Sequence, residues 1–412
     1  MLFENTPRQL NKIGAYAAIG LAFCIPISTA ATTVLLGVIL LTWLTGPEGA
    51  QKRAILLQHP LVKWIYPIVA LAMVGTLYTI ADFPAMKAGV MDGLRLLLIP
   101  ILLFFYQDKD NGRLALWAFV AAMVLTLILA FMKVYGGFPI GLKYTTGAIF
   151  KSHIKTSFFM AMAAFFLAQR AQYQPRVIIR AAFWGMAGLM AFYLLFMSIG
   201  RIGYIALVTS MLVLAWQWYR LKGVLGALGI AVALITGAYF SSDLFSQRLN
   251  LLNKDWSLYQ EGGRLEESSL GSRIQFAATS VELIAQRPLT GWGTGSFGQA
   301  YANQHMGENT LLTDNPHNEY LRMGAEYGVL GIVFLLCFFY QQARWSAKLP
   351  QQDKNFFQGI LLIFMVGCLL NSWLKDSTEA SFYCLITAVC FAALPLSEKR
   401  RQALLTKKVT LH

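Results

Sequence analysis

Few residues in this 412-residue chain can carry chemistry. His317 is the sharpest of them. It follows Asp314-Asn315-Pro316, where a helix is expected to open with Asp314 or Asn315 as N-cap and Pro316 at the first helical position. In a first turn the backbone dipole disfavours a positive imidazole and keeps it neutral, as a general base requires. A helix-start histidine bonded to a loop carbonyl would have the same sequence. Arg201 lies in Ser198-Ile199-Gly200-Arg201-Ile202-Gly203, a tight connection between two apolar runs. A charge at that depth is expensive and points to function; the alternative is an arginine snorkelling to lipid phosphate. Arg264 and Arg273 stand in a polar segment with Glu266, Glu267 and Glu282 nearby as local partners. Arg322 has Glu319 and Glu326 at helical i−3 and i+4 and reads mainly as structural, with a phosphate contact as the other use. Lys143, Lys151, His153 and Lys155 form a basic patch suited to phosphate or anionic lipid head groups, or to plain interfacial anchoring.

The patterns that are missing narrow the chemistry. Gly291–Gly298 lacks the Lys-Ser/Thr ending of a nucleotide-binding loop. His305 and His317 are twelve residues apart with Asp314 as the only nearby acid, which is not convincing metal spacing. No metal and no cofactor is therefore expected. Arginines, which grip phosphate oxygens with a rigid fork, would have to neutralise any pyrophosphate. The five cysteines (Cys24, Cys337, Cys368, Cys384, Cys390) lie in apolar runs and read as small fillers.

The elements that position these residues are membrane spans. Hydrophobic residues make up 57% of the chain and charged ones 13%, about half the share of a soluble domain. Mean hydropathy is +0.53. An all-α polytopic membrane protein of about 12 transmembrane helices is expected, at 13–29, 31–45, 62–80, 94–106, 114–133, 154–170, 178–199, 202–217, 221–240, 318–340, 355–374 and 380–396. The net charge of +14 does not mean nucleic acid, because the basic residues sit in short loops between apolar runs. More than half of the 34 Lys and Arg fall on one side, which places both termini in the cytoplasm. The long polar segment 241–316 then lies outside, in a periplasm or its equivalent. Loops of that length are usually functional, and 272–286 within it reads as an amphipathic helix. The chain divides into spans over 1–240, an outer loop domain at 241–316, and further spans with a basic tail over 317–412.

Four stretches in this order resemble the superfamily of O-antigen ligases and O-antigen polymerases. They are Ser198-Ile199-Gly200-Arg201-Ile202-Gly203-Tyr204; Arg273-Ile274-Gln275-Phe276; Arg287-Pro288-Leu289-Thr290-Gly291-Trp292-Gly293-Thr294-Gly295-Ser296-Phe297; and His317-Asn318-Glu319-Tyr320-Leu321 followed by Glu326-Tyr327-Gly328-Val329-Leu330-Gly331. The resemblance spans roughly 190–340. It implies a GT-C-type membrane glycosyltransferase with one large periplasmic loop containing short helices, in a bacterial inner membrane. It implies a glycan on undecaprenyl pyrophosphate as donor and a sugar hydroxyl of lipid A–core as acceptor, with inversion at the anomeric carbon. His317 would be the base. Arg201 and Arg273, with Arg264 as the other choice, would bind the pyrophosphate; Lys143, Lys151, Lys155 and Arg322 would be lesser lipid or phosphate contacts. A polymerase, a protein O-oligosaccharyltransferase and a lipid-linked glycan flippase are the competing readings. The single large outer loop favours the ligase over a polymerase. The scarcity of polar groups within the spans disfavours the flippase.

Overall fold

The computed structural model describes residues 6–142, 147–243, 246–247, 250, 269–307 and 311–394. Among them there are helices and connections but no strand. Lys143 and Arg264 lie outside the described residues. The helices in chain order are α1 (Thr6–Cys24), α2 (Thr29–Thr45), α3 (Gly49–Gln58), α4 (Tyr66–Val74), α5 (Phe83–Arg95), α6 (Leu98–Phe105), α7 (Lys109–Val134), α8 (His153–Gln172), α9 (Val177–Phe196), α10 (Arg201–Ser241), α11 (Ser269–Gln286), α12 (Phe297–Gln304), α13 (Glu319–Ser346), α14 (Gln351–Cys368) and α15 (Ser377–Phe391).

Each expected span falls on a helix, although the boundaries move. The expected spans 202–217 and 221–240 share α10, which is broken at Arg220, where φ is 54° and ψ −141°. Five described stretches are long and apolar enough to cross a membrane: Phe83–Phe105, α7, α9, α10 and α13. A sixth is available if α2 and α3, bent by 109°, form one broken span. That is fewer than the twelve expected, because α4 and α15 are short and α1, α8 and α14 carry more polar residues. The described residues are nonetheless all-helical, with several helices apolar enough to cross a membrane, as a membrane protein requires. The lipid-facing signature is plain on α9 and α10, where Ile178, Trp216, Leu225 and Val232 are exposed. A soluble helix would turn such residues inward.

The inner face of the bundle centres on α8, which is buried from Thr156 through Gln169 without a polar stripe. Aromatic rings fill the space around it. Phe158 packs on Trp373 at 4.4 Å between centroids, and Phe159 on Phe382 at 5.2 Å. Close helix approach depends on two glycines in the Arg201 motif. A Cβ on Gly200 would lie 2.3 Å from Ser157 Oγ, and one on Gly203 would lie 2.5 Å from Ser157 Cβ. The start of α10 is thereby pressed onto α8.

The Gly-rich stretch is a docking loop. Gly291, Gly293 and Gly295 all have positive φ, at 63°, 95° and 72°, a region that L side chains avoid. Its N–H groups point at other backbone segments. Trp292 and Gly293 donate to the carbonyls of Ala325 and Glu326, both at 2.9 Å, and Thr294 donates to Gly75 at 3.2 Å. The carbonyls of Ala325 and Glu326 face the loop because α13 is broken at Gly328 (φ 65°, ψ −160°). On the far side of that break Val329 N–H donates to Pro288 at 2.7 Å. The loop thus fastens α11 to α13 and to the turn after α4.

Candidate functional site

The start of α13 sets the position of His317, and it differs from the expected one. The N-cap is Asn318, whose Oδ1 accepts from Leu321 N–H at 3.0 Å, and the helix opens at Glu319. His317 therefore precedes the cap instead of lying in the first turn, and Asp314, Asn315 and Pro316 are outside the helix. The local cause is an Asx turn, in which Asn315 Oδ1 accepts from His317 N–H at 2.8 Å. This turn holds His317 at φ 52°. A left-handed backbone at a non-glycine residue is uncommon and costs free energy.

The ring lands between two neighbours. Phe276, one turn beyond Arg273 on α11, stacks on it with 6.1 Å between centroids. Asn371 Oδ1 lies 2.9 Å from Nδ1. Asn371 Nδ2 in turn donates to Asp376 Oδ2 at 3.0 Å. Asp376 is held by Lys155 from α8, 3.9 Å away, and Lys155 also meets the buried Glu379 at 3.3 Å. Burial pushes the Asp376 carboxyl above the usual carboxylate range, against the opposing charge of Lys155.

Arg201 and Arg273 meet at a cavity of about 570 Å³. Its walls are mostly apolar side chains of α10, including Ile202 and Leu207, with Ile199 from the connection before that helix, and His153 also lines it. Arg273 reaches it from α11 and donates from Nη1 to Leu370 O at 3.3 Å. Burial, and then the neighbouring positive charge of Arg201, pull Arg273 below the usual arginine range. Leu370 lines the same cavity and precedes Asn371 in the chain. One helix, α11, thus places Arg273 in the cavity and Phe276 on the imidazole of His317.

The other expected basic residues go elsewhere. Arg322 is buried and bonds through Nε to Glu319 Oε1 at 3.1 Å and through Nη1 to Glu326 Oε2 at 3.0 Å, as the helical spacing predicts. The second oxygen of Glu319 accepts from Leu374 N–H at 3.0 Å, so this ion cluster also pins the loop that carries Asn371. Lys151 bonds to Thr29 Oγ1. A second, smaller cavity of about 180 Å³ between α5, Gly295 and Asp314 has charged residues in its lining, and Lys375 bridges to Asp314 there at 2.9 Å.

Asn371 and Asp376 were not singled out in the sequence. Asn371 was absorbed into the expected span 355–374, whereas α14 stops at Cys368. Gly367 makes that stop possible. A Cβ there would lie 1.8 Å from the ring of Trp373, which folds back over it, while Leu370 and Asn371 N–H both donate to Gly367 O at 2.9 Å. The sequence offers only an asparagine at the end of an apolar run with Lys375 and Asp376 after it, a pattern common to span ends.

The comparisons with known proteins bear on the same part of the chain. No curated protein matches the chain. A family model described as O-antigen ligase matches residues 185–336, the stretch that holds Arg201, Arg273, the docking loop and His317. The resemblance read from the four motifs is thus supported independently over this region, and across residues 185–336 the chain is similar to the O-antigen ligase family.

Proposed function

We propose that the chain is an O-antigen ligase that moves a glycan from undecaprenyl pyrophosphate to a sugar hydroxyl of lipid A–core, at the periplasmic face of a bacterial inner membrane. The observation that carries this reading is the 570 Å³ apolar cavity with Arg201 and Arg273 at one place on its wall. An isoprenoid chain suits the apolar lining, and two adjacent guanidiniums suit the pyrophosphate that ends it. Residues 1–240 and 317–412 would hold the spans, and 241–316 the periplasmic loop.

The reaction assigns one role to each group. The acceptor hydroxyl oxygen attacks the anomeric carbon of the donor sugar. His317 takes the hydroxyl proton as the new C–O bond forms. The bond from the anomeric carbon to the pyrophosphate oxygen breaks with its electron pair. Arg201 and Arg273 stabilise the negative charge that grows on the leaving undecaprenyl pyrophosphate. Attack opposite to the leaving group inverts the anomeric centre. The arginines supply the positive charge, and the reaction should proceed in the presence of a chelator.

The test uses purified protein in nanodiscs with undecaprenyl-pyrophosphate glycan and lipid A–core, with products resolved on a gel. A ladder on lipid A–core is expected. Lengthening of the glycan on its own carrier would make the protein a polymerase, and neither product from folded protein would overturn the enzymatic reading.

A further inference from the structure

The side-chain path from His317 through Asn371 to Asp376 has a direction. An amide oxygen can only accept, so the Nδ1 of His317 that faces Asn371 Oδ1 at 2.9 Å must carry the hydrogen. In a neutral imidazole that leaves Nε2 with the lone pair, the state in which it can take a proton. An asparagine can fix this choice only if its amide cannot turn over. Asp376 prevents the turn, because a carboxylate only accepts and its Oδ2 lies 3.0 Å from Asn371 Nδ2. Asn371 itself is 8% exposed, so water does not compete freely for the amide.

Building on the proposed reaction, we infer that Asn371 is a positioning residue that sets the tautomer of His317, and that Asp376, clamped by Lys155, sets the orientation of Asn371. Lys155 thereby gains a role different from a lipid contact. It holds the carboxylate end of a four-residue path that begins on α8 and ends at the reacting nitrogen. The loop between α14 and α15 is rigid enough for this work, because Trp373 is packed over Gly367 and Leu374 N–H is tied to Glu319. The charges facing the path are Lys155 from α8, Glu319 from α13, Glu379 from α15, and Lys375 with Asp314 beside it.

The test compares Asn371→Ala, Asn371→Asp and His317→Ala in the nanodisc transfer assay. Asn371→Ala should lower kcat on the order of 10–100-fold, the range for partners that orient a functional histidine, with KM for both substrates nearly unchanged. Asn371→Asp is isosteric and keeps an acceptor for Nδ1, so it should recover much of kcat at high pH. Its added negative charge favours the imidazolium, so the acid limb of the pH–rate profile should move to higher pH. The inference is overturned if Asn371→Ala keeps the wild-type kcat, or if Asn371→Asp leaves the acid limb in place, while His317→Ala is inactive. An active His317→Ala would instead remove the base from the proposed reaction, and the positioning role with it. Should Asn371→Ala fail to fold, the Asn371→Asp profile alone decides.

Discussion

Arginine is used in two opposite ways in this protein. At the start of α13, Arg322 is enclosed between Glu319 and Glu326, and all three are almost fully buried. At the 570 Å³ cavity, Arg273 instead has Arg201 as the charge that acts on it, and the two disfavour each other. A buried cation with two carboxylates is complete without a ligand. Arg201 and Arg273, brought together beside an apolar wall, repel each other, and a bound anion would lessen that repulsion. The residue type is the same, and the surroundings separate a structural arginine from the two proposed to hold the donor.

The sharpest way to break this comparison is to truncate each arginine in turn. Arg322→Ala leaves two buried carboxylates without their partner, a change that costs about 3–5 kcal/mol. Loss of folded protein on size-exclusion chromatography is the expected result. Normal yield and melting temperature would mean that the ion cluster is not structural. Arg201→Lys should behave in the opposite way. It keeps the charge but loses the fork that grips a phosphate, so transfer should fall by about a hundredfold while the protein stays folded. Wild-type transfer in that variant would reduce Arg201 to a lipid anchor.

Smaller effects sharpen the distinction. Gly293→Ala places a Cβ 2.4 Å from Thr79 Cα at a φ of 95°. It should lower stability by about 1–3 kcal/mol, the usual penalty for overpacking, read as a drop in melting temperature. An unchanged melting point would show that the loop is not a fastener. The smallest effect concerns pH. Burial raises the carboxyl of Asp376 above its unfolded value, so the native state holds that proton more tightly and loses stability as pH rises through the raised value. Lys155, His317 and Lys375 oppose that rise, and Glu319 reinforces it. Asp376→Asn should flatten this part of the curve of melting temperature against pH. The same slope in the variant would assign it to another group.

Much of the architecture was legible because a membrane span is a local property. A run of apolar residues must become a helix in lipid to satisfy its backbone, so the expected spans found helices. The helix at 272–286 is α11, three residues longer at its start. Amphipathic α5 and the short α12 were missed, since neither is a long apolar run. The candidate site was legible where one residue type in a tight motif suggested it, as with Arg201, Arg273 and His317. It was not legible where two distant segments meet. Asn371 is 54 positions from His317, and nothing local distinguishes it from a polar residue at a span end. The helix start at His317 was misplaced because three neighbouring residues, Asp314, Asn315 and Asn318, could each cap with only Pro316 and His317 among them. Tertiary packing chose the last.

The most direct measurement is binding of undecaprenyl pyrophosphate to the purified protein in nanodiscs, compared with the Arg201→Gln, Arg273→Gln double variant. If the cavity is built for the donor, the wild-type protein binds and the double variant, still folded, loses most of its affinity. Equal binding by both proteins would contradict the assignment of the two arginines and, with it, the reading of the cavity as the donor site.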